Sequence, residues 1–225
     1  MYSASRFVCH INILVLVSGG GTNLQALIDA EKKGDFNYPS GIKNTGKISA
    51  VLSDRDGAYA LERAKNAGIP AFIEKPDYSL PAPERRREHS DRILRFCREK
   101  EIGFIVYAGF LSILAGDIID AYLGRMINIH PALLPKFGGQ GMYGEHVHRA
   151  VLDAGETESG CTVHFVDAGT DTGPILLQRK VRVLGGDSPE TLAARILKEE
   201  HIAIVEAARM MIMKYRETSF HPAVP

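Results

Sequence analysis

The sequence lacks most features that would mark a secreted, membrane-bound or nucleic-acid-binding protein. Its 225 residues contain only three cysteines, Cys9, Cys97 and Cys161, and no Cys-x-x-Cys pair, which favours reduced thiols in the cytoplasm. Lysine plus arginine equals aspartate plus glutamate, 27 of each, so no overall field favours nucleic acid or an anionic membrane. No apolar run approaches the roughly twenty residues of a membrane-spanning helix. The run INILVLVS is short and leads into a glycine turn, unlike a signal peptide.

The composition is that of an ordinary globular protein. Charged residues make up 24% and hydrophobic residues 45% of a chain long enough to bury a large core. No repeat or low-complexity linker divides it. We therefore expect one domain over residues 12–216, with an N-terminal extension over 1–11 and a tail over 217–225 that looks irregular.

Short apolar runs alternate with helical patterns along the chain. Strands are predicted at 12–17, 47–53, 71–73, 102–107 and 125–130, and helices at 23–32, 58–67, 81–99 and 113–122. This alternation predicts an α/β fold with a doubly wound, mostly parallel, Rossmann-like sheet. A short helix ending at 154, a pair of strands at 161–166 and 175–183, and a long C-terminal helix over 189–214 should follow.

The glycine turn SGGGTN, residues 18–23, lies between a predicted strand and a predicted helix. Such a turn can present backbone N–H groups and a helix N-terminus to an anion. A triphosphate loop would need a lysine, which is missing, and a dinucleotide loop would need a glycine where Leu24 stands. The turn therefore favours a phosphate monoester near Gly21, Thr22 and Asn23. The alternative is a simple tight turn with Thr22 as helix N-cap.

Asn128 and His130 stand two residues apart at the end of a predicted strand that Pro131 stops. Residues two apart in a strand point to one face, and open α/β sheets bind ligands beyond the carboxyl ends of their strands. An amide and an imidazole there can both donate hydrogen bonds to one developing oxyanion. The alternative is a structural pair that caps a loop.

An acidic loop, DAGTDTGP, follows the strand predicted at 161–166. Its glycines and proline place Asp171 in a loop, where it is able to face His130 and raise the histidine pKa by charge pairing. Asp167 is the competing carboxylate, and Asp171 as a simple turn residue is the alternative interpretation. His146 and His148 form a His-x-His pair, but no further spacing completes a zinc site, so neither receives a role.

Several segments together resemble one family. SGGGTNLQALIDA, VLSDRDGAYALERAKNAGIP, YAGFLSIL, MINIHPALLPKF, GCTVHFVDAGTDTGPILLQ and KEEHIAIV occur in the order typical of phosphoribosylglycinamide formyltransferases, over residues 12–214. The segment NIHPALLP alone is shared more widely among formyltransferases.

The resemblance implies formyl transfer from 10-formyltetrahydrofolate to the amine of glycinamide ribonucleotide, without a metal, and it allows a homodimer. The implied catalytic residues are Asn128, His130 and Asp171. The implied substrate-binding residues are Gly20, Gly21, Thr22, Asn23, Arg87 and Glu200. The implied folate-binding residues are Phe110, Leu111, Ile113, Leu114, Asp167, Ala168, Gly169 and Thr170. His164 matches a histidine behind the catalytic residues.

Two departures from the family pattern stand out. Thr170 occupies a position that is usually aliphatic, and the loop KFGGQGMYGEHVHR is longer than usual. The enzymatic rivals are a methionyl-tRNA formyltransferase, which would carry a further C-terminal domain and a basic surface, and a formyltetrahydrofolate hydrolase, which would carry a preceding regulatory domain. A non-enzymatic nucleotide-binding module would explain the glycine turn but not the other three residues.

Overall fold

The computed structural model describes residues 10–37 and 46–219 of the chain. Cys9, most of the predicted extension over 1–11 and the end of the predicted tail over 217–225 lie outside the described residues. Seven strands are described: β1 (Ile11–Val17), β2 (Gly46–Ser53), β3 (Ala71–Ile73), β4 (Ile102–Tyr107), β5 (Met126–His130), β6 (Glu158–Phe165) and β7 (Ile175–Arg182). The helices described are α1 (Thr22–Lys33), α2 (Tyr59–Asn66), α3 (Ala82–Glu99), α4 (Asp117–Ala121), α5 (Glu145–Asp153) and α6 (Pro189–Ser219).

The strands form one sheet in the order β3-β2-β1-β4-β5-β6-β7. The first five are parallel, whereas β6 pairs antiparallel with β5 and β7 pairs antiparallel with β6. The predicted doubly wound sheet with a C-terminal strand pair is thereby confirmed. The strand order reverses between β1 and β4, which is where such sheets form a ligand crevice.

Each face of the sheet carries its own apolar layer. Along β1, Ile13 and Val15 join a layer built with α1, α2 and α6, which we call the α6 layer. Leu14 and Leu16 point the other way, into a layer built with α3 and α4, which we call the α3 layer. A strand segment buried on both faces has to be apolar, which explains the uninterrupted hydrophobic run over residues 13–17 of β1.

Helix α4 is much shorter than the sequence predicted. A helix was predicted over 113–122, but α4 covers only Asp117–Ala121. The residues before it are held by tertiary hydrogen bonds instead, because Leu111 N–H donates to the Ser18 hydroxyl and Ala115 N–H donates to the Ser90 hydroxyl. Gly116 then has φ 78° and ψ −149°, a conformation that glycine adopts easily and that ends this extended segment.

Helix α6 is longer than predicted. It runs through Ser219, so the interpretation of the tail as irregular from residue 217 is wrong for residues 217–219. Its buried residues lie in the α6 layer, and the helix packs against α1, β6 and β7. Within the described residues, none of the helices combines the length and the apolar character that crossing a membrane requires.

Candidate active site

A cavity of about 690 Å³ lies at the carboxyl edge of the parallel strands. A volume of this size suits a drug-sized ligand or two smaller ones. It brings together most of the side chains that the sequence singled out. The predicted residues that line it are Asn23, Phe110, Leu111, Ile113, Leu114, Asn128, His130, His164, Asp167, Gly169, Thr170, Asp171 and Glu200.

The glycine turn places the start of α1 beside this cavity. Gly21 occupies the N-cap position with φ 70°, a left-handed conformation, and no side chain caps the helix. The interpretation of Thr22 as the N-cap is therefore wrong, since Thr22 is the first residue of α1. Gly21 also packs on α2, because a β-carbon there would lie 2.6 Å from the β-carbon of Ala60.

Asn23 joins the start of α1 to the middle of α6. Its side-chain amide donates a 2.7 Å hydrogen bond to the Glu200 carboxylate. Burial raises the pKa of Glu200, and the hydrogen bond from Asn23 offsets part of that effect. The amide oxygen of Asn23 is buried without a partner among the described residues. The Asn23–Glu200 pair therefore lines the cavity, and the protein does not use all of its hydrogen-bonding groups.

Asn128 and His130 point to the same face of β5, as the strand period requires. His130 Nε2 lies 2.8 Å from the Phe137 carbonyl oxygen. Because a carbonyl only accepts, Nε2 carries the proton and Nδ1 of the neutral ring carries the lone pair. That Nδ1 lies 3.5 Å from Oδ2 of Asp171. A second proton, at Nδ1, would turn a lone pair facing a carboxylate into a charge-assisted contact.

The pKa of His130 is lowered, not raised as the sequence suggested. Burial disfavours the charged ring, and this outweighs the Asp171 carboxylate and the Phe137 carbonyl, both of which raise the pKa. A neighbouring positive charge on His164 would lower it further. The carboxylate effect was therefore predicted with the correct sign, but desolvation is larger.

Asp171 contacts both His130 and His164 and has a left-handed backbone conformation, with φ 58°. Aspartate tolerates this region better than most residues. Its Oδ2 accepts a 2.9 Å hydrogen bond from Gly139 N–H, and its Oδ1 lies 3.5 Å from His164 Nε2. Burial would raise the pKa of Asp171, but the contacts with His164, Gly139 and His130 together lower it. The carboxylate is therefore ionised at neutral pH.

His164 lies behind the predicted catalytic residues. It is the cross-strand partner of Asn128 in the pairing of β5 with β6. Its Nδ1 donates to the Phe165 carbonyl at 2.8 Å, so Nε2 is free to accept a 3.1 Å hydrogen bond from the Asn128 amide. His164 thus fixes the orientation of Asn128 and leaves one amide N–H for a ligand.

The competing carboxylate, Asp167, has a structural role within its own loop. Its Oδ1 accepts hydrogen bonds from Gly169 N–H at 3.0 Å and from the Thr172 hydroxyl at 2.7 Å. These bonds fold the loop that carries Asp171. Asp167 has no ion pair with His130 among the described contacts, so Asp171 is the carboxylate that faces the imidazole.

Residues 108–114, which we call the AGF segment, form the wall on the side of the α3 layer. Leu111 N–H donates to the Ser18 hydroxyl at 2.8 Å, and the Ser112 hydroxyl donates to Asp54 at 2.7 Å. These bonds hold the segment open and extended. Phe110 and Leu114 are buried, whereas Leu111 remains 44% exposed. The wall is therefore mostly apolar.

Some predicted binding residues lie outside the cavity. Arg87 is exposed on α3, and Gly20, Gly21 and Ala168 do not line the cavity. Thr22 lines a neighbouring groove of about 750 Å³ between α1 and α6. The turn residues are adjacent to Asn23, which lines the cavity. Arg87 lies beside Gly116, where a β-carbon would be 3.6 Å from Arg87 Cγ, and Gly116 follows the lining residue Leu114 by two positions.

One lining residue, His148, received no role from the sequence. It lies in α5 beside the buried residues Val147 and Val151. The signal was present, because His148 precedes Val151 by three residues and so shares its helix face. Residues 139–144 of the long loop also line the cavity.

The two described thiols, Cys97 and Cys161, are free and buried. Burial raises the pKa of Cys97 and of Cys161 to about 12 in each case, so both thiols are protonated and unreactive. Among the described residues, no group of three or more histidine, cysteine, aspartate or glutamate side chains is arranged to hold a metal ion.

The chain belongs to the formyl transferase family, whose model matches residues 11–208. This confirms the resemblance seen in the sequence. The chain is 39% identical over 191 residues to the phosphoribosylglycinamide formyltransferase of Escherichia coli strain K12, covering 85% of this chain and 82% of that protein. The solved glycinamide ribonucleotide transformylase 1 of Symbiobacterium toebii superposes with a TM-score of 0.80 at 38% identity, covering 91% of this chain and 89% of that one.

Longer relatives also match. The trifunctional purine biosynthetic protein adenosine-3 of Drosophila pseudoobscura pseudoobscura is 42% identical over 200 residues, which is 88% of this chain. The chain spans only 14% of the length of that protein.

Proposed function

We propose that this chain transfers the formyl group of 10-formyltetrahydrofolate to the amine of glycinamide ribonucleotide. The observation that carries the proposal is the meeting of Asn128, His130 and Asp171 in one cavity. That cavity also holds a polar pair beside a glycine turn and an apolar wall on the opposite side. Relatives that match most of the chain carry the name of this reaction.

The phosphate of the ribonucleotide is proposed to bind at the glycine turn. The first N–H groups of a helix have no partner within the helix, and the helix dipole favours an anion there. Helix α1 supplies such a start at Thr22. Asn23 and Glu200, joined by their hydrogen bond, are then placed to contact the ribose hydroxyls.

The folate ring is proposed to lie against the AGF segment and the loop over 167–171. The residues fit a heteroaromatic ring, because an apolar wall at Phe110 and Leu114 stands beside backbone groups of an extended segment. When bound, the folate supplies the formyl carbon to be attacked. The two substrates thus bind at different ends of the cavity, and their reacting groups meet near His130.

Asn128 and His130 are proposed to stabilise negative charge on the formyl oxygen as the amine attacks. Asn128 keeps one amide N–H free, and His130 exchanges its Phe137 carbonyl contact for the formyl oxygen. A proton leaves the attacking amine, reaches His130 Nδ1 by way of Asp171 and forms the imidazolium beside the carboxylate. The same proton then goes to the departing folate nitrogen, so that His130 ends neutral. Each donor of this kind is worth on the order of a hundredfold in rate.

We infer a cytoplasmic location from the protonated, buried thiols Cys97 and Cys161. Cytoplasmic proteins keep their cysteines reduced. The homodimer stays a prediction, which sedimentation equilibrium tests directly.

The test is to measure consumption of 10-formyltetrahydrofolate with and without glycinamide ribonucleotide. The proposal expects rapid consumption only when the ribonucleotide is present, with formylated ribonucleotide as product. Consumption without the amine would identify a hydrolase instead. Tight nucleotide binding with no consumption would identify a non-enzymatic module. Arg98→Gln, on the far end of α3, serves as an unaffected control.

A further inference from the structure

Arg63, in helix α2, binds the glycine turn from outside the cavity. Its Nε donates a 2.8 Å hydrogen bond to the carbonyl oxygen of Gly20. Its Nη1 donates to the side-chain oxygen of Gln25 at 3.2 Å, and the guanidinium carbon lies 5.0 Å from the centre of the Tyr59 ring. Three contacts therefore hold the guanidinium in one orientation, and one of them is to a carbonyl of the turn itself.

A second carbonyl of the turn is bound by the same helix. The N–H of Ala60, in the first turn of α2, donates to the carbonyl oxygen of Gly19 at 3.0 Å. The peptides of the turn are trans, and in a trans peptide the C=O and the following N–H point in opposite directions. Because both carbonyls point toward α2, the N–H groups of Gly20 and Gly21 point away from it.

The turn is accessible to a ligand. Gly20 is exposed, and a β-carbon built on it would meet nothing within 4 Å. The N–H groups of Gly20, Gly21 and Thr22 donate to no other described residue. The first turn of α1 contains no acidic side chain that would repel an anion. Successive backbone N–H groups of this kind form an anion-binding concavity, whose direction the bound carbonyls decide.

The contact of Arg63 with Gly20 controls the peptide that leads into α1. Gly21 is the N-cap of α1, so the Gly20–Gly21 peptide directly precedes the helix start. Two adjacent glycines have access to many backbone conformations. Without Arg63 this peptide would be free to rotate, and only some of its orientations would direct the Gly21 N–H toward a ligand. The loss of conformational freedom would then oppose binding.

We propose that Arg63 is a positioning residue for the phosphate of the ribonucleotide. By binding the Gly20 carbonyl, it directs the Gly21 N–H toward the phosphate. The proposal rests on the function proposed above and extends it to a residue that lines the neighbouring groove, not the cavity. Arg63 acts through the turn, and its charge makes no direct contact with the phosphate.

The test compares glycinamide ribonucleotide with its nucleoside, which lacks the phosphate. Calorimetry gives the two dissociation constants, and their ratio is the phosphate preference. Arg63→Gln keeps an N–H donor at the position of Nε but removes the charge, whereas Arg63→Met places a methyl group there. The preference should fall by about ten- to hundredfold in Arg63→Met, the value of a hydrogen bond to a charged group. It should stay within a few-fold of wild type in Arg63→Gln.

Lys65→Met is the matched control, because it removes a positive charge from an exposed position two residues further along α2. It should keep the full preference. An unchanged preference in a folded Arg63→Met variant would overturn the proposal. So would equal losses in Arg63→Gln and Arg63→Met, which would show that the charge acts directly. Equal weakening of both ligands in Arg63→Met would reveal a merely structural role and would also overturn it.

Formyl transfer by the wild-type chain is measured separately. An inactive wild-type chain whose phosphate preference still depends on Arg63 would refute the proposed reaction and support the positioning role. An active wild-type chain whose preference does not depend on Arg63 would refute the positioning role alone.

Discussion

Replacing Gly21 with alanine should destabilise the protein for two separable reasons. Gly21 has φ +70°, and a β-carbon in this left-handed region costs about 1–2 kcal/mol. That β-carbon would also lie 2.6 Å from Cβ and 2.8 Å from Cα of Ala60. The Ala60 backbone is not free to turn aside, so α2 must shift, and overpacking of this kind costs about 1–3 kcal/mol. The free energy of unfolding should fall by about 2–5 kcal/mol in total.

Gly19→Ala is the matched control in the same turn. A β-carbon on Gly19 meets nothing within 4 Å, and its φ does not lie in the left-handed range. Its free energy of unfolding should stay within about 0.5 kcal/mol of wild type. At roughly 2–4 °C per kcal/mol for a chain of this size, the melting temperatures should differ by several degrees or more.

Urea unfolding and thermal melting measure both variants. The folded fraction of Gly21→Ala should also bind glycinamide ribonucleotide much more weakly, while folate binding should change little. Equal stability of Gly21→Ala and Gly19→Ala would refute the argument from backbone conformation and contact with Ala60. Equal loss of both ligands in a folded Gly21→Ala variant would refute the assignment of the turn to phosphate.

The remaining predictions concern charge and the folate. Asp171→Asn should lower kcat on the order of a hundredfold at unchanged melting temperature. It should also move the acid limb of kcat/KM to lower pH, since His130 loses the charge that raises its pKa; a normal rate or an unmoved limb would contradict this. Burial lowers the pKa of His89, His130, His148 and His201. The free energy of unfolding should therefore be highest above the ordinary histidine pKa of 6.5 and should fall as pH drops through the lowered pKa values. Urea midpoints that stay constant from pH 7.5 to 5 would disprove this pH dependence. An antifolate should slow hydrogen exchange at residues 110–114 and 167–171, and protection confined to other segments would refute the folate placement.

The parallel sheet was predictable because its signal is local. Each buried strand is a short apolar run, and the consecutive glycines Gly19, Gly20 and Gly21 indicate the turn that follows β1. The same-face placement of Asn128 and His130 also follows from strand period alone. The partnership of Asp171 with His130 needed the resemblance, since sequence spacing did not decide between Asp171 and Asp167.

The errors arose where distant segments decide the local outcome. The helix predicted over 113–122 lost its first turn because Ser18 and Ser90 take up backbone N–H groups of the preceding segment. The lowered pKa of His130 comes from burial, whose extent depends on the whole fold. The spacing of His148 and Val151 gives their shared helix face, but only the packing of α5 on α6 brings His148 to the cavity.

The hydrogen bond between Asn23 and Glu200 joins residues 177 positions apart in the chain. Ribosomes add about 5–20 residues per second, so Asn23 is made on the order of ten to thirty-five seconds before its partner. Until then the glycine turn has no α6 beside it, and the apolar side chains of α1 that pack on α6 lack their cover. A nascent chain therefore lacks the Asn23–Glu200 pair until α6 is made, and under the proposed function it should not hold the ribonucleotide before then. Its exposed α1 surface is where a ribosome-associated chaperone would be needed.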